Sequence, residues 1–198
     1  MIKAGITGGI GSGKSIVCEI FRTLGIPVFV SDNISRQLID QDQDIKDQLV
    51  SLFGKDIFNN DGRLEKEKLS KLIFGDRNAL KKVNAVVHPA VKKKFNEWSG
   101  QYYDHKYVIK ESALLFESGN THELDVIIMV YAPESFRIKR IIERDNLPEE
   151  RIKAIIANQI NDEEKIRMSD HIIYNDETQL LIPQVLKLDN LLRSGKKK

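Results

Sequence analysis

A glycine-rich run near the N-terminus constrains the fold more than any other feature of this chain. The run from Gly8 to Ser15 fits the spacing G-x-x-x-x-G-K-[ST]. Residues 2–7 before it are mostly apolar and predict a short buried strand, and residues 16–24 after it repeat apolar side chains at helical spacing. A strand, this loop and a helix in succession form the context in which the pattern holds a polyphosphate.

Each part of the loop has a chemical role. Its glycines permit positive φ and let backbone N–H groups turn towards phosphate oxygens. Lys14 supplies a positive charge for the outer phosphates, Ser15 offers a hydroxyl to Mg²⁺, and the helix that follows directs its positive end at the anion. We predict that ATP and Mg²⁺ bind here, with Ser15 at the metal. The predicted nucleotide contacts in the loop are Gly9, Gly11, Ser12, Gly13, Lys14, Ser15 and Ile16.

The rest of the chain reads as alternating strands and helices with one helical interruption. A second strand at 27–30 completes a βαβ unit, which predicts parallel strands. Residues 33–100 show long amphipathic stretches without a strand pattern, and they predict an inserted helical lobe. Strands follow at 107–109, 125–131 and 171–174. We therefore expect a parallel sheet covered by helices, with that lobe and a charged helical region at 134–167.

Composition excludes several classes of protein. The 198 residues carry a net charge of +2, which is too small to indicate a nucleic-acid binder. No uncharged apolar stretch reaches the roughly 18 residues of a membrane span, and the N-terminus lacks a signal-peptide pattern. Cys18 is the one cysteine, which favours a reducing compartment. We expect a cytoplasmic protein that acts on a small molecule without nucleic-acid or membrane partners, and of the oligomeric states we favour the monomer.

Asp32 is the first candidate on the acceptor side. It follows the second strand, and ligands of open α/β sheets bind beyond the carboxyl ends of the strands. Asp32 should therefore lie near the γ-phosphate, where a carboxylate can accept a proton from an attacking hydroxyl or hold a water on Mg²⁺. The alternative is a helix N-cap for a helix that starts near Ile34. Position alone does not separate the two.

Two further features each allow two interpretations. Arg137, Arg140 and Arg144 are spaced i, i+3, i+7 and share one helix face, which is either solvated or closes over phosphates as part of a lid. With a phosphate loop present, the second is favoured. His88, before Pro89, either begins a helix in the inserted lobe or contacts the acceptor.

Several motifs occur in an order that is more specific than the loop alone. They are residues 5–15 (GITGGIGSGKS), 31–36 (SDNISR), 53–54 with 61–64 (FG and DGRL), 88–89 (HP), 114–117 (LLFE), 140–145 (RIIERD), and Gln159 with 169–175. Together they resemble the dephospho-coenzyme A kinase family over nearly the whole chain. The resemblance implies an α/β, P-loop kinase-like three-layer fold over 1–198, with the helical lobe at 33–100 binding the acceptor and 134–167 forming the lid.

The same resemblance implies an activity and a set of roles. The γ-phosphoryl group of ATP would pass to the ribose 3′-hydroxyl of dephospho-coenzyme A, which is the last step of coenzyme A synthesis. The implied catalytic residues are Asp32, Lys14 and Arg140. The implied acceptor contacts are Thr7, Asp32, Arg36 and His88. Arg140 would contact the nucleotide or phosphate, and Asn175 would lie near the adenine.

The chain departs from the family pattern at three places. Ile16 stands where a threonine is usual, Ser31 replaces the first aspartate of D-A-D, and Ser112-Ala113 replaces the proline before Leu114. Two other functions stay open at this point. One is a phosphotransferase for another acceptor, such as a nucleoside monophosphate, shikimate or gluconate. The other is a non-enzymatic nucleotide switch, which the missing guanine motif and the arginine-rich lid argue against.

Overall fold

Five short apolar segments form one parallel sheet in the computed structural model, which describes residues 1–73 and 76–197. In chain order the strands are β1 (Ile2–Thr7), β2 (Val28–Val30), β3 (Tyr107–Glu111), β4 (Val126–Tyr131) and β5 (His171–Tyr174). They lie in the order β2-β3-β1-β4-β5, and every neighbouring pair is parallel. The predicted parallel α/β sheet is confirmed. Because β1 is central, the glycine-rich loop leaves the middle of the carboxyl edge, where α/β folds bind ligands.

Two helices cover one face of the sheet. They are α1 (Lys14–Thr23) and α9 (Leu181–Arg193). On α1, Val17, Cys18 and Phe21 are buried against the sheet, and the Phe21 ring meets Tyr107 edge-on with 6.3 Å between the centroids. Burial, and after it the charge of Glu111, raises the pKa of the Cys18 thiol to about 12. The thiol is therefore protonated near pH 7 and packs as a small apolar side chain.

The opposite face of the sheet is covered by the segment after β3. Gly5 of β1 has no side chain there, and an added Cβ would lie 2.6 Å from Leu124 and 2.9 Å from Leu115. Lys110, in register with Gly5, is buried and forms an ion pair with Glu123. The segment 112–124 therefore packs closely on β1 and β3.

Three helices lie between β4 and β5 in the chain. They are α6 (Glu134–Asp145), α7 (Glu149–Ala157) and α8 (Asp162–Met168). These helices make up the region that the sequence predicts as a lid. Within the described residues, no helix is both long and apolar enough to cross a membrane.

The chain divides into two compact units, residues 1–30 with 99–198 and residues 31–98. The helices of the second unit are α2 (Ser31–Gln41), α3 (Gln43–Phe53), α4 (Lys66–Ile73) and α5 (Arg77–Gly100), of which the last continues two residues into the first unit. Asp42 caps α3 by accepting a hydrogen bond from the Ile45 N–H at 3.1 Å. Acceptor binding by this helical unit stays a prediction.

Two details of the second unit differ from the sequence predictions. Helix α2 begins at Ser31, directly after β2, so Asp32 lies in its first turn and does not cap a helix that starts near Ile34. Pro89 lies inside α5, so the His88-Pro89 pair does not begin a helix. Proline removes one intrahelical hydrogen bond, which usually makes it a helix-start signal, but the 24 residues of α5 continue past it.

Candidate functional site

The loop between β1 and α1 is shaped by close contacts that only glycine allows. Gly13 has φ 95° and precedes the first residue of α1. A Cβ on Gly13 would lie 2.2 Å from the Asn175 Nδ2, and a Cβ on Gly9 would lie 1.9 Å from the Arg137 Nη1. The glycines therefore let two polar side chains from other elements touch the loop.

Lys14 is buried within this loop. Its Nζ donates hydrogen bonds to the Gly8 carbonyl at 2.9 Å and the Gly9 carbonyl at 3.3 Å. The Ser12 N–H donates to the Gly9 carbonyl at 3.1 Å, which closes the turn. The ammonium charge is thus held by two carbonyls of the glycine-rich loop itself.

Arg140 and Asn175 are brought to the loop as a connected pair. The Asn175 Nδ2 donates to the Ser12 carbonyl at 2.8 Å, and the Arg140 Nη2 donates to the Asn175 carbonyl at 3.1 Å. Arg140 is half-buried and comes from α6, whereas Asn175 follows β5. Two residues that are far apart in sequence are therefore connected to the phosphate loop, Asn175 directly and Arg140 through Asn175; their nucleotide contacts stay predictions.

Four buried polar atoms near this loop have no hydrogen-bond partner among the described residues. They are Thr7 Oγ1, Ser12 Oγ, Arg137 Nε and Arg140 Nη1. A buried donor without a partner costs about 1–3 kcal/mol, and nearly all buried polar groups have one, so these four atoms are suited to a partner from outside the protein. All four atoms can donate a hydrogen bond, and a polyphosphate supplies many acceptor oxygens. The residues of the site therefore fit ATP.

The three arginines of the predicted face have different surroundings. Arg137 is buried, and its Nη2 pairs with the Asp162 Oδ2 at 2.8 Å. Arg144 is exposed and bonds its own neighbour, Asp145, through two hydrogen bonds of 2.8 and 2.7 Å. Arg137 lies against Gly9 of the loop, Arg140 is linked to the loop through Asn175, and Arg144 is engaged by Asp145. A phosphate contact by all three arginines stays a prediction, with Asp145 as a competing partner for Arg144.

One carboxylate at the sheet edge is not among the residues predicted from the sequence. Glu111 is the last residue of β3, is buried, and is in register with Ile6 of β1. A carboxylate at the end of the strand beside a phosphate loop is a common holder of Mg²⁺ in P-loop enzymes. The available signal was the charged pair Lys110-Glu111 at the end of an apolar segment.

No cluster of three His, Cys, Asp or Glu side chains with the geometry of a metal centre occurs in the described part of the chain. Mg²⁺ does not require one, since it is usually bound by one or two carboxylates together with substrate phosphates. Ser15, the predicted metal contact, is exposed in the first turn of α1. Ser15 and Glu111 are thus the protein groups that suit this ion. Ile16, also predicted to contact the nucleotide, is exposed beside Ser15.

The predicted acceptor residues belong mostly to the second unit. Asp32 and Arg36 lie four residues apart on α2, are both exposed, and share one helix face. His88 is half-buried within α5. Thr7 is buried at the end of β1. The meeting of the α2 and α5 residues with the loop stays a prediction.

Changing Gly13 to alanine tests the contact between the loop and Asn175. We expect Gly13→Ala to lower kcat/KM for ATP roughly 10- to 100-fold, because a displacement of about 1 Å at a positioned group can cost that much. Gly25→Ala is the matched control, since Gly25 also has positive φ (79°) but has no atom within 4 Å of an added Cβ. Steady-state kinetics decides the outcome: equal losses in both variants would show that backbone strain, and not the Asn175 contact, matters.

Comparison with known proteins gives a consistent result. A family model described as dephospho-CoA kinase matches residues 2–180. The dephospho-CoA kinase of Bacteroides fragilis (strain YCH46) is 41% identical over 187 residues, which cover 94% of this chain and 91% of the relative. The crystal structure of TT1252 from Thermus thermophilus superposes with a TM-score of 0.84 at 32% identity and covers 96% of each chain. Shikimate kinase from Acinetobacter baumannii shares the fold alone, with a TM-score of 0.55 at 16% identity over 100% of this chain and 96% of that one.

Proposed function

The chain belongs to the dephospho-coenzyme A kinase family and is an ATP-dependent kinase of the last step of coenzyme A biosynthesis; we propose that it phosphorylates the ribose 3′-hydroxyl of dephospho-coenzyme A with the residues described above. The proposal rests on the β1–α1 loop, where the Lys14 ammonium is hydrogen-bonded to loop carbonyls. Near the loop, buried hydrogen-bond donors of Thr7, Ser12 and Arg140 have no partner among the described residues.

The phosphate side of the reaction is assigned to the first unit. We assign the β- and γ-phosphates to the backbone N–H groups of Gly11, Gly13, Lys14 and Ser15, since the N–H groups of Ile10, Ser12 and Ile16 already bond other protein groups. Lys14 and Arg140 stabilise the negative charge that develops on the transferred group and the leaving oxygen. Asn175, which bonds the Ser12 carbonyl, is proposed to lie near the adenine. Ser15 and Glu111 would hold Mg²⁺, which would supply positive charge to neutralise the phosphates.

The acceptor side is assigned to Asp32, because it closely follows a strand of the sheet whose carboxyl edge carries the loop. Strands β2 and β1 are separated only by β3, and neighbouring strands lie about 4.8 Å apart, so their carboxyl ends are roughly 10 Å apart. Asp32 follows the end of β2 by two residues. We infer that Asp32 contacts an acceptor hydroxyl placed in line with the γ-phosphorus.

The proposed chemistry is a direct phosphoryl transfer. The 3′-oxygen forms a bond to the γ-phosphorus, and the bond from that phosphorus to the β–γ bridging oxygen breaks, so ADP leaves. Asp32 accepts or orients the proton of the 3′-hydroxyl. Thr7, Arg36 and His88 are proposed to contact the acceptor. Cytoplasmic location, a monomeric state and the lid role of 134–167 stay predictions from the sequence.

A panel of acceptors tests the proposal. The purified protein is incubated with ATP, Mg²⁺ and one acceptor at a time: dephospho-coenzyme A, shikimate, gluconate or a nucleoside monophosphate. We expect ADP to form with dephospho-coenzyme A in equimolar amount with coenzyme A, and the other acceptors to release no more ADP than a control without acceptor. ADP release that is faster with another acceptor, or no release above the control, would contradict the proposal.

A further inference from the structure

The apex of the phosphate loop, residues 9–11, is contacted from outside by the chain between β4 and β5. The Ile10 N–H donates a hydrogen bond to the Gln159 Oε1 at 3.1 Å. Arg137 lies against Gly9, and a Cβ on Gly11 would lie 2.7 Å from the Arg137 carbonyl. Each of the three apex residues therefore touches the region that the sequence predicts as a lid.

The segment that carries Gln159 is itself held at further points. The Glu117 Oε1 accepts a hydrogen bond from the Ile160 N–H at 2.9 Å and lies 3.1 Å from the Nζ of Lys165, which is fully buried. Asp162 pairs with Arg137 at 2.8 Å. Residues 159–165 thus connect the apex to α6 and to the segment after β3.

Buried ion pairs of this kind are costly to break, because removing one partner leaves a buried charge uncompensated. Their geometry therefore holds residues 159–165 in one place. A hydrogen-bond acceptor fixed there restrains the peptide group between Gly9 and Ile10. A loop that is ordered before its ligand arrives loses less conformational entropy on binding.

We propose that Gln159 is a positioning residue for the phosphate loop, held in place by the Arg137–Asp162 and Glu117–Lys165 pairs. It fixes the loop apex so that the amides that follow it are already aligned for ATP. The inference rests on the proposed function only in taking ATP as the ligand of this loop. It assigns Gln159 no contact with substrate.

Gln159→Leu removes the hydrogen-bond acceptor and keeps a similar side-chain size. Hydrogen–deuterium exchange of the ATP-free protein measures how well the loop amides are protected when no ligand is bound. We expect exchange at the Ile10 amide to become roughly tenfold faster and KM for ATP to rise roughly 3- to 10-fold, which corresponds to one hydrogen bond. KM for dephospho-coenzyme A and kcat should stay within about twofold, since the chemistry itself is not touched. Gln101→Leu, in an exposed turn, is the matched control.

Gln159→Glu supplies a second test, since a carboxylate still accepts the Ile10 N–H. It should restore slow exchange at Ile10, but KM for ATP should stay raised because the new negative charge lies near the polyphosphate. If Gln159 had only a structural role, Gln159→Glu would not restore slow exchange at Ile10 while KM for ATP stayed raised.

Two results would overturn the inference. One is unchanged Ile10 exchange and unchanged KM for ATP in Gln159→Leu. The other is faster exchange across the whole first unit with both KM values raised, which would indicate a loss of general stability. Either result leaves the proposed function standing, provided that the wild type still makes coenzyme A. A wild type that makes none would contradict the proposed function, while exchange at Ile10 would still decide the role of Gln159.

Discussion

Replacing Lys14 by methionine is expected to lower kcat/KM for ATP by about 10²- to 10³-fold. This range is typical when one preorganised group that stabilises transition-state charge is removed. Methionine keeps most of the volume of the buried side chain, so the loss reports the charge and its hydrogen bonds to the Gly8 and Gly9 carbonyls. Steady-state rates with ATP varied at saturating dephospho-coenzyme A measure the effect.

Lys139→Met is the matched control for this change. Lys139 is an exposed lysine on α6, and its replacement should leave kcat/KM within about twofold. Thermal unfolding of both variants is measured in parallel, because the loop carbonyls lose a buried donor only in Lys14→Met. Retention of more than about a tenth of wild-type kcat/KM by a folded Lys14→Met would contradict the assigned role.

Asp32→Asn is expected to lower kcat by about 10²- to 10⁴-fold, the range associated with a positioned general base. The change keeps the shape of the side chain and removes its ability to take a proton. Because the same carboxylate lies in the first turn of α2, its replacement also costs roughly 0.3–1 kcal/mol of helix stability through the helix dipole. That loss alone cannot account for a hundredfold fall in kcat.

The alternative helix-stabilising role of Asp32 makes a different prediction. If Asp32 only stabilises α2, Asp32→Asn would lower the unfolding temperature slightly and leave kcat near the wild-type value. Asp104→Asn, at an exposed turn, serves as the matched control for the loss of one surface carboxylate. A near-normal kcat for Asp32→Asn would remove Asp32 from the catalytic set.

The sequence was sufficient for the parallel sheet and the phosphate loop because both depend on local patterns. Mostly apolar runs of three to seven residues predict buried parallel strands, and the glycine spacing predicts the loop that follows β1. The start of α2 was placed three residues late, since Asp32 was weighed as an N-cap for a helix near Ile34. The helix start predicted at Pro89 was wrong for a similar reason. Proline favours a helix start, but tertiary packing can stabilise a helix that continues past it.

Contacts of the site that join distant parts of the chain were less predictable. Helical spacing grouped Arg137, Arg140 and Arg144, yet it carries no information about the carboxylates that compete for each guanidinium. Gln159 was part of the family resemblance, but its hydrogen bond to Ile10 spans 149 residues and has no sequence pattern. Glu111 was missed because a single carboxylate at a strand end is common in any α/β protein.

The central claim is that the β1–α1 loop holds the polyphosphate of ATP while Asp32 faces the acceptor hydroxyl. A crystal structure with a non-hydrolysable ATP analogue and dephospho-coenzyme A tests it most directly. We predict that the β-phosphate accepts hydrogen bonds from the loop amides and that an Asp32 carboxylate oxygen lies about 2.6–3.2 Å from the ribose 3′-oxygen, or reaches it through one water. A polyphosphate bound away from the loop, or an Asp32 carboxylate directed away from the 3′-oxygen, would contradict the claim.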